Sequence, residues 1–245
     1  MFYFDNFQEK KVLKSTLLND VDCFFTTREF PLTPANRDDL IETTNKNRQI
    51  LSKELNSKIT TSKQIHSANI QIINNEELFY DNTDALISNL PNSLLLMNFA
   101  DCVPVILYSK KDNTGAIIHA GWRGTEQEIV VKTINKMYSE LKIEPKNITA
   151  LIGPAIGKCC FETDEEVFNK LIKDKKQTKF YEQRGQKYHI DLKLINSTQL
   201  INSGVVNIDI CDYCTCCMSD IFFSYRKENG ITARHSAVLK IKEGK

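Results

Sequence analysis

Histidine is scarce in this sequence. The 245 residues include four histidines, and no two of them form an H-x-H pair. Imidazole is a preferred ligand of copper in proteins, and a trinuclear copper centre takes many imidazoles, typically from H-x-H pairs. The histidine count therefore argues against a multicopper oxidase.

Strong net charge and long apolar runs are also absent. The formal net charge of +1 argues against nucleic acid or an anionic membrane surface as a partner. The longest apolar stretches, residues 94–100 and 103–108, fall short of the roughly 18–20 residues that span a bilayer. The first residues lack the basic start and apolar run of a secretory signal. These absences predict a soluble, cytoplasmic protein.

Cysteine, by contrast, is plentiful, with eight residues. Without a secretory signal, reduced thiols, metal ligands or a nucleophile are expected rather than disulfides. Hydrophobic residues make up 41% of the chain, which is sufficient for a large core. Because no repeat, low-complexity tract or linker divides the chain, the simplest prediction is a single domain over residues 1–245.

Two helix starts can be predicted from capping signals. Thr33 before Pro34 is typical of an N-cap followed by the first helical residue, and it predicts a helix over residues 34–56. Thr125-x-x-Glu128 has the pattern of a capping box and predicts a helix from there to about residue 141. Strands and helices are mixed along the chain, which predicts an α+β fold of mixed β-sheets with helices packed outside.

Three potential metal ligands lie at the ends of predicted strands. Cys102 separates the apolar runs, His119 ends the strand that follows a hairpin turn at residues 112–115, and His66 lies between two short strands. If the strands beside that turn pair, Cys102 and His119 meet at the open end of the hairpin. One thiolate and two imidazoles fit a zinc site with an open fourth position. A Cys–His pair of nucleophile and base is the alternative.

A glycine-containing turn follows His119. Gly121, Arg123 and Gly124 precede the predicted helix, whose free N–H groups and dipole, together with a guanidinium, are suited to a phosphate. An ordinary glycine turn is the alternative. Arg226 is a further candidate for substrate contact, because it follows an apolar run that must be packed.

Six cysteines fall in two short segments, the adjacent pair Cys159–Cys160 and the run containing Cys211, Cys214, Cys216 and Cys217. A C-x-x-C pair is typical of structural zinc, but a zinc ribbon needs a second pair at a suitable distance. Adjacent cysteines rarely bind one ion, so the sequence argues against structural zinc here.

Longer motifs resemble a known family. The strings QIHSANI, DALIS, ADCVPVILY, HAGWRGT, IGPAIGKCCFE, CTCCMSDIFFSYR and ITARHSAVLKI occur in this order. Together they resemble the YfiH family of laccase-like proteins, once labelled polyphenol oxidases, over roughly residues 23–239. ADC-x-PV and HAGWRG are the specific motifs. The resemblance implies an α+β fold similar to that of Cys–His deamidase toxins.

The resemblance also implies an activity and its cofactor. It implies a zinc site on His66, Cys102 and His119, with copper able to replace zinc in vitro. It implies a purine nucleoside phosphorylase acting on adenosine, inosine, guanosine and methylthioadenosine, with adenosine deaminase activity at the same site. The expected partners are therefore purine nucleosides and phosphate.

These considerations give a set of candidate site residues. Cys102, His119 and Asp84 are the catalytic candidates, and Asp101 is a second candidate for the general acid. The substrate-binding candidates are Arg28, Arg123 and Arg226.

The segment after Arg28 departs from the family pattern, because EFPLTPANRDDL is shorter and lacks the usual glycines. This departure predicts a flexible or rearranged pocket rim over residues 29–40. Two other functions stay open at this point. One is a copper-dependent phenol oxidase, and the other is a Cys–His hydrolase such as a peptidoglycan-precursor editing enzyme.

Overall fold

The computed structural model describes residues 1–74 and 77–243. The strands within this range are β1 Phe2–Phe7, β2 Lys10–Ser15, β3 Cys23–Thr26, β4 Ile59–Ser62, β5 Ile70–Ile72, β6 Phe79–Tyr80, β7 Ala85–Ser88, β8 Leu94–Phe99, β9 Val103–Ser109, β10 Thr114–Ala120, β11 Thr149–Ile152, β12 Glu162–Thr163, β13 Tyr181–Arg184, β14 Lys187–Ile190, β15 Asn207–Ile210 and β16 His235–Lys240. The α-helices are α1 Ile41–Glu54, α2 Trp122–Glu126, α3 Ile129–Leu141, α4 Glu165–Leu171 and α5 Leu192–Asn202. Short 3-10 helices lie at Thr16–Leu18, Asp38–Leu40, Pro145–Asn147 and Thr178–Phe180.

The strands form three sheets. A seven-stranded sheet has the order β1-β2-β3-β16-β8-β4-β6, and a six-stranded sheet has the order β15-β11-β9-β10-β7-β5. A small third sheet has the order β12-β14-β13. Parallel and antiparallel pairs occur together in both large sheets. The predicted α+β class with mixed sheets is confirmed, whereas the likeness to deamidase toxins and the domain extent 1–245 stay predictions.

Apolar residues on both faces of the strands hold the two large sheets together. In β9, Val105 and Leu107 belong to the core beneath α3 and α5, while Ile106 belongs to the core between the sheets. In β16, Leu239 faces that inter-sheet core and Val238 faces the core beneath α1. Strands that are buried on both faces have continuous rather than alternating apolar sequences, as β8 and β9 do.

The predicted hairpin is confirmed. Strands β9 and β10 pair in antiparallel register, with Thr114 opposite Ser109 near the turn and Ala120 opposite Val103 at the open end. Cys102 immediately precedes β9 and His119 is the penultimate residue of β10. The sequence argument that these two side chains meet at the open end of one hairpin therefore holds.

The predicted start of the first helix is wrong. Helix α1 begins at Ile41 rather than at Pro34, after the 3-10 turn Asp38–Leu40. Thr33 instead forms a bridge with Arg234, and Ala35 has a φ of 52°, which ends any regular helix there. The capping signal is overridden because the preceding segment is packed against the sheet, with Phe30 and Leu32 fully buried.

The predicted capping box at Thr125 is also wrong. Thr125 lies inside the short helix α2, where its N–H donates to the carbonyl of Gly121 at 2.8 Å and its hydroxyl accepts from Asn196 at 2.9 Å. Glu128, with a φ of 58°, separates α2 from α3. The helix that follows His119 therefore begins at Trp122 and has five residues.

Two links that pass between the large sheets come together at one edge of the fold. Residues 100–102 connect β8 of the seven-stranded sheet to β9 of the six-stranded sheet. Residues 63–69 likewise connect β4 of the seven-stranded sheet to β5 of the six-stranded sheet. Cys102 lies in the first link and His66 in the second. Among the described residues, no helix is both long and apolar enough to cross a bilayer.

Candidate active site

Backbone geometry at the sheet junction brings His66, Cys102 and His119 together. Their nitrogen and sulfur ligand atoms all lie within 4.8 Å of one another. The imidazole rings of His66 and His119 meet edge to face with centroids 4.8 Å apart. His66 has a φ of 61°, a left-handed conformation that is uncommon for a residue other than glycine. His119 is buried, Cys102 is half-buried and His66 is exposed, so the cluster opens toward solvent on one side.

Asp84 anchors both histidine-bearing segments. It is fully buried, and its Oδ1 accepts the backbone N–H of His66 at 3.0 Å and lies 2.8 Å from Nδ1 of His119. Its Oδ2 accepts the N–H and the hydroxyl of Ser67 at 2.7 and 2.6 Å. An ionised carboxylate is an acceptor only, so Nδ1 of His119 donates to Asp84 and Nε2 is the nitrogen that can bind a metal once it is deprotonated. Fixing a ligand tautomer in this way is typical of metal-binding histidines.

The pKa values of these groups are coupled in the metal-free protein. Burial raises the pKa of Cys102, but the charge of His119 and hydrogen bonds from both histidines outweigh it and lower the pKa to about 6. Burial lowers the pKa of His119, yet Cys102 and Asp84 raise it to about 9. Burial also opposes ionisation of Asp84, whose pKa is nevertheless lowered to about 2 by hydrogen bonds from His119 and Ser67. At neutral pH, Cys102 and His119 are therefore a thiolate and an imidazolium.

Gly121 forms the wall directly behind the cluster. A Cβ atom at this position would lie 3.0 Å from Sγ of Cys102 and 3.0 Å from Cδ2 of His66. The φ of Gly121 is −67°, which any residue adopts, so glycine is needed here for space rather than for conformation. The glycine of the HAGWRG motif thus lets the chain approach the two ligands closely.

The donor set fits a metal ion. One sulfur and two nitrogens that each lie about 2.0–2.3 Å from a shared ion are separated by about 3.3–3.8 Å in a tetrahedron, which is compatible with the observed upper limit of 4.8 Å. The thiol already has a lowered pKa, and a carboxylate already holds one imidazole. Three protein ligands leave one position for water or substrate.

A cavity of about 1000 Å³ lies above the cluster. This volume is at the upper end of the range for small-molecule sites. Its lining includes all three candidate ligands and the aromatic rings of Trp122, Phe161 and Tyr225. Three cationic side chains, Lys63, Arg226 and Arg234, also line it. The cavity therefore combines flat apolar surfaces with positive charge close to a potential metal site.

Asp101 braces the floor of the cavity. It has a φ of 83°, which turns the chain sharply between β8 and β9 just before Cys102. Its Oδ1 accepts the hydroxyl of Thr215 at 2.6 Å, and its Oδ2 accepts the backbone N–H of Arg226 at 2.7 Å. The guanidinium of Arg226 donates to the carbonyls of Cys160 and Glu162 at 2.8 and 3.1 Å. These bonds fix the position of Arg226 at the cavity wall.

The other two predicted arginines lie elsewhere. Arg28 donates to the carbonyls of Ser219 and Phe222 and pairs with Glu228, which joins β3 to the segment after β15. Arg123 is exposed, and its guanidinium stacks 4.2 Å from the ring centroid of Trp122. Neither is among the residues that line the cavity. Their roles in substrate binding stay predictions.

Sequence reasoning did not identify Arg234 or the aromatic wall. Arg234 is half-buried, and its Nη1 donates to the carbonyls of Thr232 and Ala233 at 2.9 Å. It stands just before β16, within the string ITARHSAVLKI that contributes to the family resemblance, and that string was an available signal. The rim segment after Arg28 supplies Thr33 and Ala35 to the same cavity, whereas its flexibility or rearrangement stays a prediction.

Comparison with known proteins identifies the family. Residues 29–242 match the family described as multi-copper polyphenol oxidoreductase laccase. A protein of Bacteroides thetaiotaomicron named purine nucleoside phosphorylase is 31% identical over 236 residues, covering 85% of this chain and 87% of its own. The Escherichia coli protein named purine nucleoside phosphorylase YfiH is 32% identical over 185 residues, covering 75% and 74%. The crystal structure of YlmD from Geobacillus stearothermophilus aligns with a TM-score of 0.88 at 25% identity, over 98% of this chain and 99% of that one. This chain therefore belongs to the laccase-like polyphenol oxidoreductase family, together with the YfiH and YlmD proteins.

Proposed function

We propose that the protein is a zinc-dependent purine nucleoside phosphorylase. The observation that carries this proposal is the His66, Cys102 and His119 cluster at the floor of a large cavity whose walls are aromatic and cationic. Relatives with 31–32% identity bear the name of this activity. The substrates implied by the family resemblance are adenosine, inosine, guanosine and methylthioadenosine.

The cavity lining suits the two substrates of phosphorolysis. The rings of Trp122, Phe161 and Tyr225 offer surfaces on which a purine base can stack. Arg226 and Arg234 provide guanidinium groups, which bind phosphate in bidentate geometry, and Lys63 adds a third positive charge. In the reaction, the C1′–N9 bond of the nucleoside breaks and a phosphate oxygen bonds to C1′. The products are the free purine, which takes up a proton, and ribose 1-phosphate.

The chain's own residues hold these substrates in place. Arg226 is fixed through its backbone by Asp101 and through its guanidinium by two carbonyls, so a phosphate meets a preorganised donor rather than a mobile side chain. Asp84 is buried behind His119 and does not line the cavity, so we assign it a positioning role instead of that of a general acid. Asp101 likewise positions Arg226 and the Cys102 link.

Zinc fits the site better than a multicopper centre. Of the four histidines, His189 bonds to the carbonyl of Lys158 and His235 is buried between Phe99 and Phe222, which leaves two imidazoles for the cluster. A trinuclear centre takes many more. When bound, zinc supplies a Lewis acid close to the substrate phosphate and sugar. Slow phenol oxidation with added copper is compatible with this single site.

A specific observation supports a second candidate, a Cys–His hydrolase. In the metal-free protein Cys102 has a lowered pKa, and His119 is backed by the Asp84 carboxylate. This is the arrangement of an activated cysteine nucleophile, its base and an orienting acid. In such an enzyme the Cys102 sulfur would bond to an acyl carbon, and the leaving group would depart with a proton from His119. Water would then hydrolyse the thioester, with no metal needed.

Adenosine deamination at the same site also stays a prediction. In that reaction water replaces the amino group at C6 of adenine and ammonia leaves, so phosphate has no part in it. An assay that omits phosphate therefore separates deamination from phosphorolysis. Free thiols throughout the chain, in keeping with the predicted cytoplasmic location, suit an enzyme that depends on a reduced cysteine.

Base release from inosine, measured by chromatography with and without phosphate, tests the proposal. We expect phosphate-dependent formation of hypoxanthine that is abolished in Cys102→Ser and His119→Ala. The matched control is Cys23→Ser, because Cys23 is buried in β3 outside the cavity and bonds to the carbonyl of Leu18. Metal content is measured on the same samples. A metal-free wild type without phosphorolysis, but with a Cys102-dependent acyl intermediate, would favour the hydrolase.

A further inference from the structure

Four cysteines lie together outside the candidate active site. The sulfur atoms of Cys159, Cys160, Cys214 and Cys217 are all within 4.8 Å of one another. Sγ of Cys217 is 3.5 Å from Sγ of Cys159 and also 3.5 Å from Sγ of Cys160. Four sulfurs about 2.3 Å from one zinc ion are about 3.8 Å apart in a tetrahedron. The observed separations are compatible with a tetrathiolate cage.

The backbone is folded so that two distant segments bring these thiols together. The N–H groups of Cys160 and Phe161 both donate to the carbonyl of Gly157 at 2.9 Å, which forms a tight turn. Cys214 pairs with Ala155 in a parallel bridge, and this places the C-x-x-C segment beside the turn. Adjacent cysteines rarely bind one ion when the chain is extended, but here a turn directs both thiols toward Cys217. The sequence argument against structural zinc overlooked this turn.

A backbone hydrogen bond and a close packing contact support the arrangement of the thiols. The N–H of Gly157 donates to Sγ of Cys214 at 3.1 Å, and such bonds to thiolates are typical of the surroundings of zinc–cysteine sites. A Cβ at Gly157 would lie 3.2 Å from Sγ of Cys159 and 3.2 Å from Cβ of Cys214, so glycine is needed for this approach.

We propose that Cys159, Cys160, Cys214 and Cys217 form a second, structural zinc site. All four coordination positions are filled by thiolates, the pattern of a structural site, whereas the active-site cluster leaves one position open. The inference does not depend on the proposed function.

The second site would stabilise one wall of the substrate cavity. The cysteine turn lies between Ile156 and Phe161, which both line that cavity. The carbonyl of Cys160 accepts from the guanidinium of Arg226 at 2.8 Å. On the opposite segment, Thr215 is adjacent to Cys214 and bonds to Asp101. Zinc bound by the four thiols thus ties together the segments that position Arg226.

Zinc content per chain, measured by mass spectrometry of purified protein, tests the inference. We expect two ions in the wild type, one in the pair substitution Cys214→Ser/Cys217→Ser, and one in His66→Ala. Cys216→Ser is the matched control, because Cys216 lies between the two substituted residues yet is outside the group of four, and it should retain two ions. If the first pair fails to fold, Cys159→Ser/Cys160→Ser on the exposed turn supplies the same comparison.

Cobalt substitution gives a spectroscopic readout of the same site. His66→Ala protein loaded with Co²⁺ should show the strong sulfur-to-cobalt charge-transfer band of a tetrathiolate, and the band should be lost when Cys214→Ser/Cys217→Ser is added to His66→Ala. A wild type whose only zinc is lost in His66→Ala would overturn the inference. So would a disulfide from Cys217 to Cys159 or Cys160 in freshly purified protein, with a mass 2 Da lower. One zinc that survives in His66→Ala would support this site and contradict the active-site zinc.

Discussion

Oδ1 of Asp84 lies 2.8 Å from Nδ1 of His119 and 3.0 Å from the backbone nitrogen of His66. One carboxylate oxygen therefore holds two of the three candidate ligands, although the histidines are 53 positions apart in the chain. Asp84 immediately precedes β7 and His119 lies in β10, so this arrangement depends on the register between these two strands, in which Ala85 pairs with Ile118.

Substitution of Asp84 by asparagine should weaken metal binding while leaving the fold intact. The amide keeps the size of the side chain, but its NH₂ group replaces one carboxylate oxygen. It therefore cannot accept either the bonds that Ser67 donates to Oδ2 or those that reach Oδ1. The neutral amide also no longer favours the required tautomer of His119. Loss of such a supporting partner typically costs about 10–100-fold in metal affinity. A competition titration with a chelating dye measures the affinity.

Asp112→Asn is the matched control for this substitution. Asp112 accepts the hydroxyl of Ser109 at 2.6 Å in the distant hairpin turn, so its loss affects stability without reaching the cluster. Equal zinc affinity in the wild type and Asp84→Asn would contradict the positioning role of Asp84.

Gly121→Ala should displace the ligands by steric pressure alone. The new methyl group would lie 3.0 Å from the sulfur of Cys102, and the backbone there is not strained. We expect reduced metal content and loss of phosphorolysis. Gly185→Ala is the control, because it strains the backbone without crowding a neighbour. Gly185 has a φ of 60°, and no atom lies within 4 Å of a Cβ placed there. That variant should lose about 1 kcal/mol of stability and retain full metal content. Reduced metal in both variants would point to general destabilisation instead.

Metal removal should expose an unusually reactive thiol. The pKa of Cys102 in the metal-free protein is about 6, whereas an ordinary thiol titrates near pH 8.5. Alkylation of this thiol by iodoacetamide should therefore rise with pH around a midpoint near 6, and added zinc should protect it. Peptide mapping distinguishes Cys102 from the other seven cysteines, and Cys102→Ser provides the blank. A midpoint above pH 8 would show that His119 does not stabilise the thiolate.

The cluster of His66, Cys102 and His119 could be predicted from the sequence, whereas the contacts that hold it in place could not. Cys102 and His119 follow from a hairpin whose turn and apolar strands are local features, so the prediction did not require tertiary contacts. The helix start at Thr33 failed because Phe30 and Leu32 are drawn into the core and Thr33 bridges to Arg234. The cap at Thr125 failed because that hydroxyl pairs with Asn196, 71 positions away. Contacts between residues that are distant in the chain decided where both helices begin, and such contacts cannot be predicted from a local sequence pattern.

The positions of the arginines predict different phosphate dependences. Arg226 lines the cavity and is held by three hydrogen bonds, whereas Arg123 is exposed on Trp122. We expect Arg226→Ala to raise the phosphate KM for inosine phosphorolysis at least tenfold, and to raise it more than Arg123→Ala does. A tenfold change corresponds to about 1.4 kcal/mol of binding. If Arg123→Ala has the larger effect on KM, the phosphate lies at the α2 turn rather than beside Arg226.

Acid should destabilise the protein through a buried histidine outside the site. His235 is fully buried, with its ring 6.3 Å from that of Phe99 and 5.5 Å from that of Phe222, and burial lowers its pKa to about 3. The unfolded chain binds a proton near pH 6.5, so the folded state is favoured fully above that pH and progressively less as the pH falls toward 3. Between pH 7.5 and pH 5 the loss amounts to about 2 kcal/mol.

Urea unfolding of the wild type and His235→Phe at both pH values measures this contribution. Phenylalanine keeps an aromatic ring between Phe99 and Phe222 but cannot titrate, so His235→Phe should lose less stability on acidification than the wild type does. Acid also protonates the metal ligands, and comparing the two proteins cancels that shared effect. An identical pH dependence in both would mean that His235 can be protonated within the folded core, through local opening of the segment before β16. Amide hydrogen exchange at residues 233–236 would then reveal that opening.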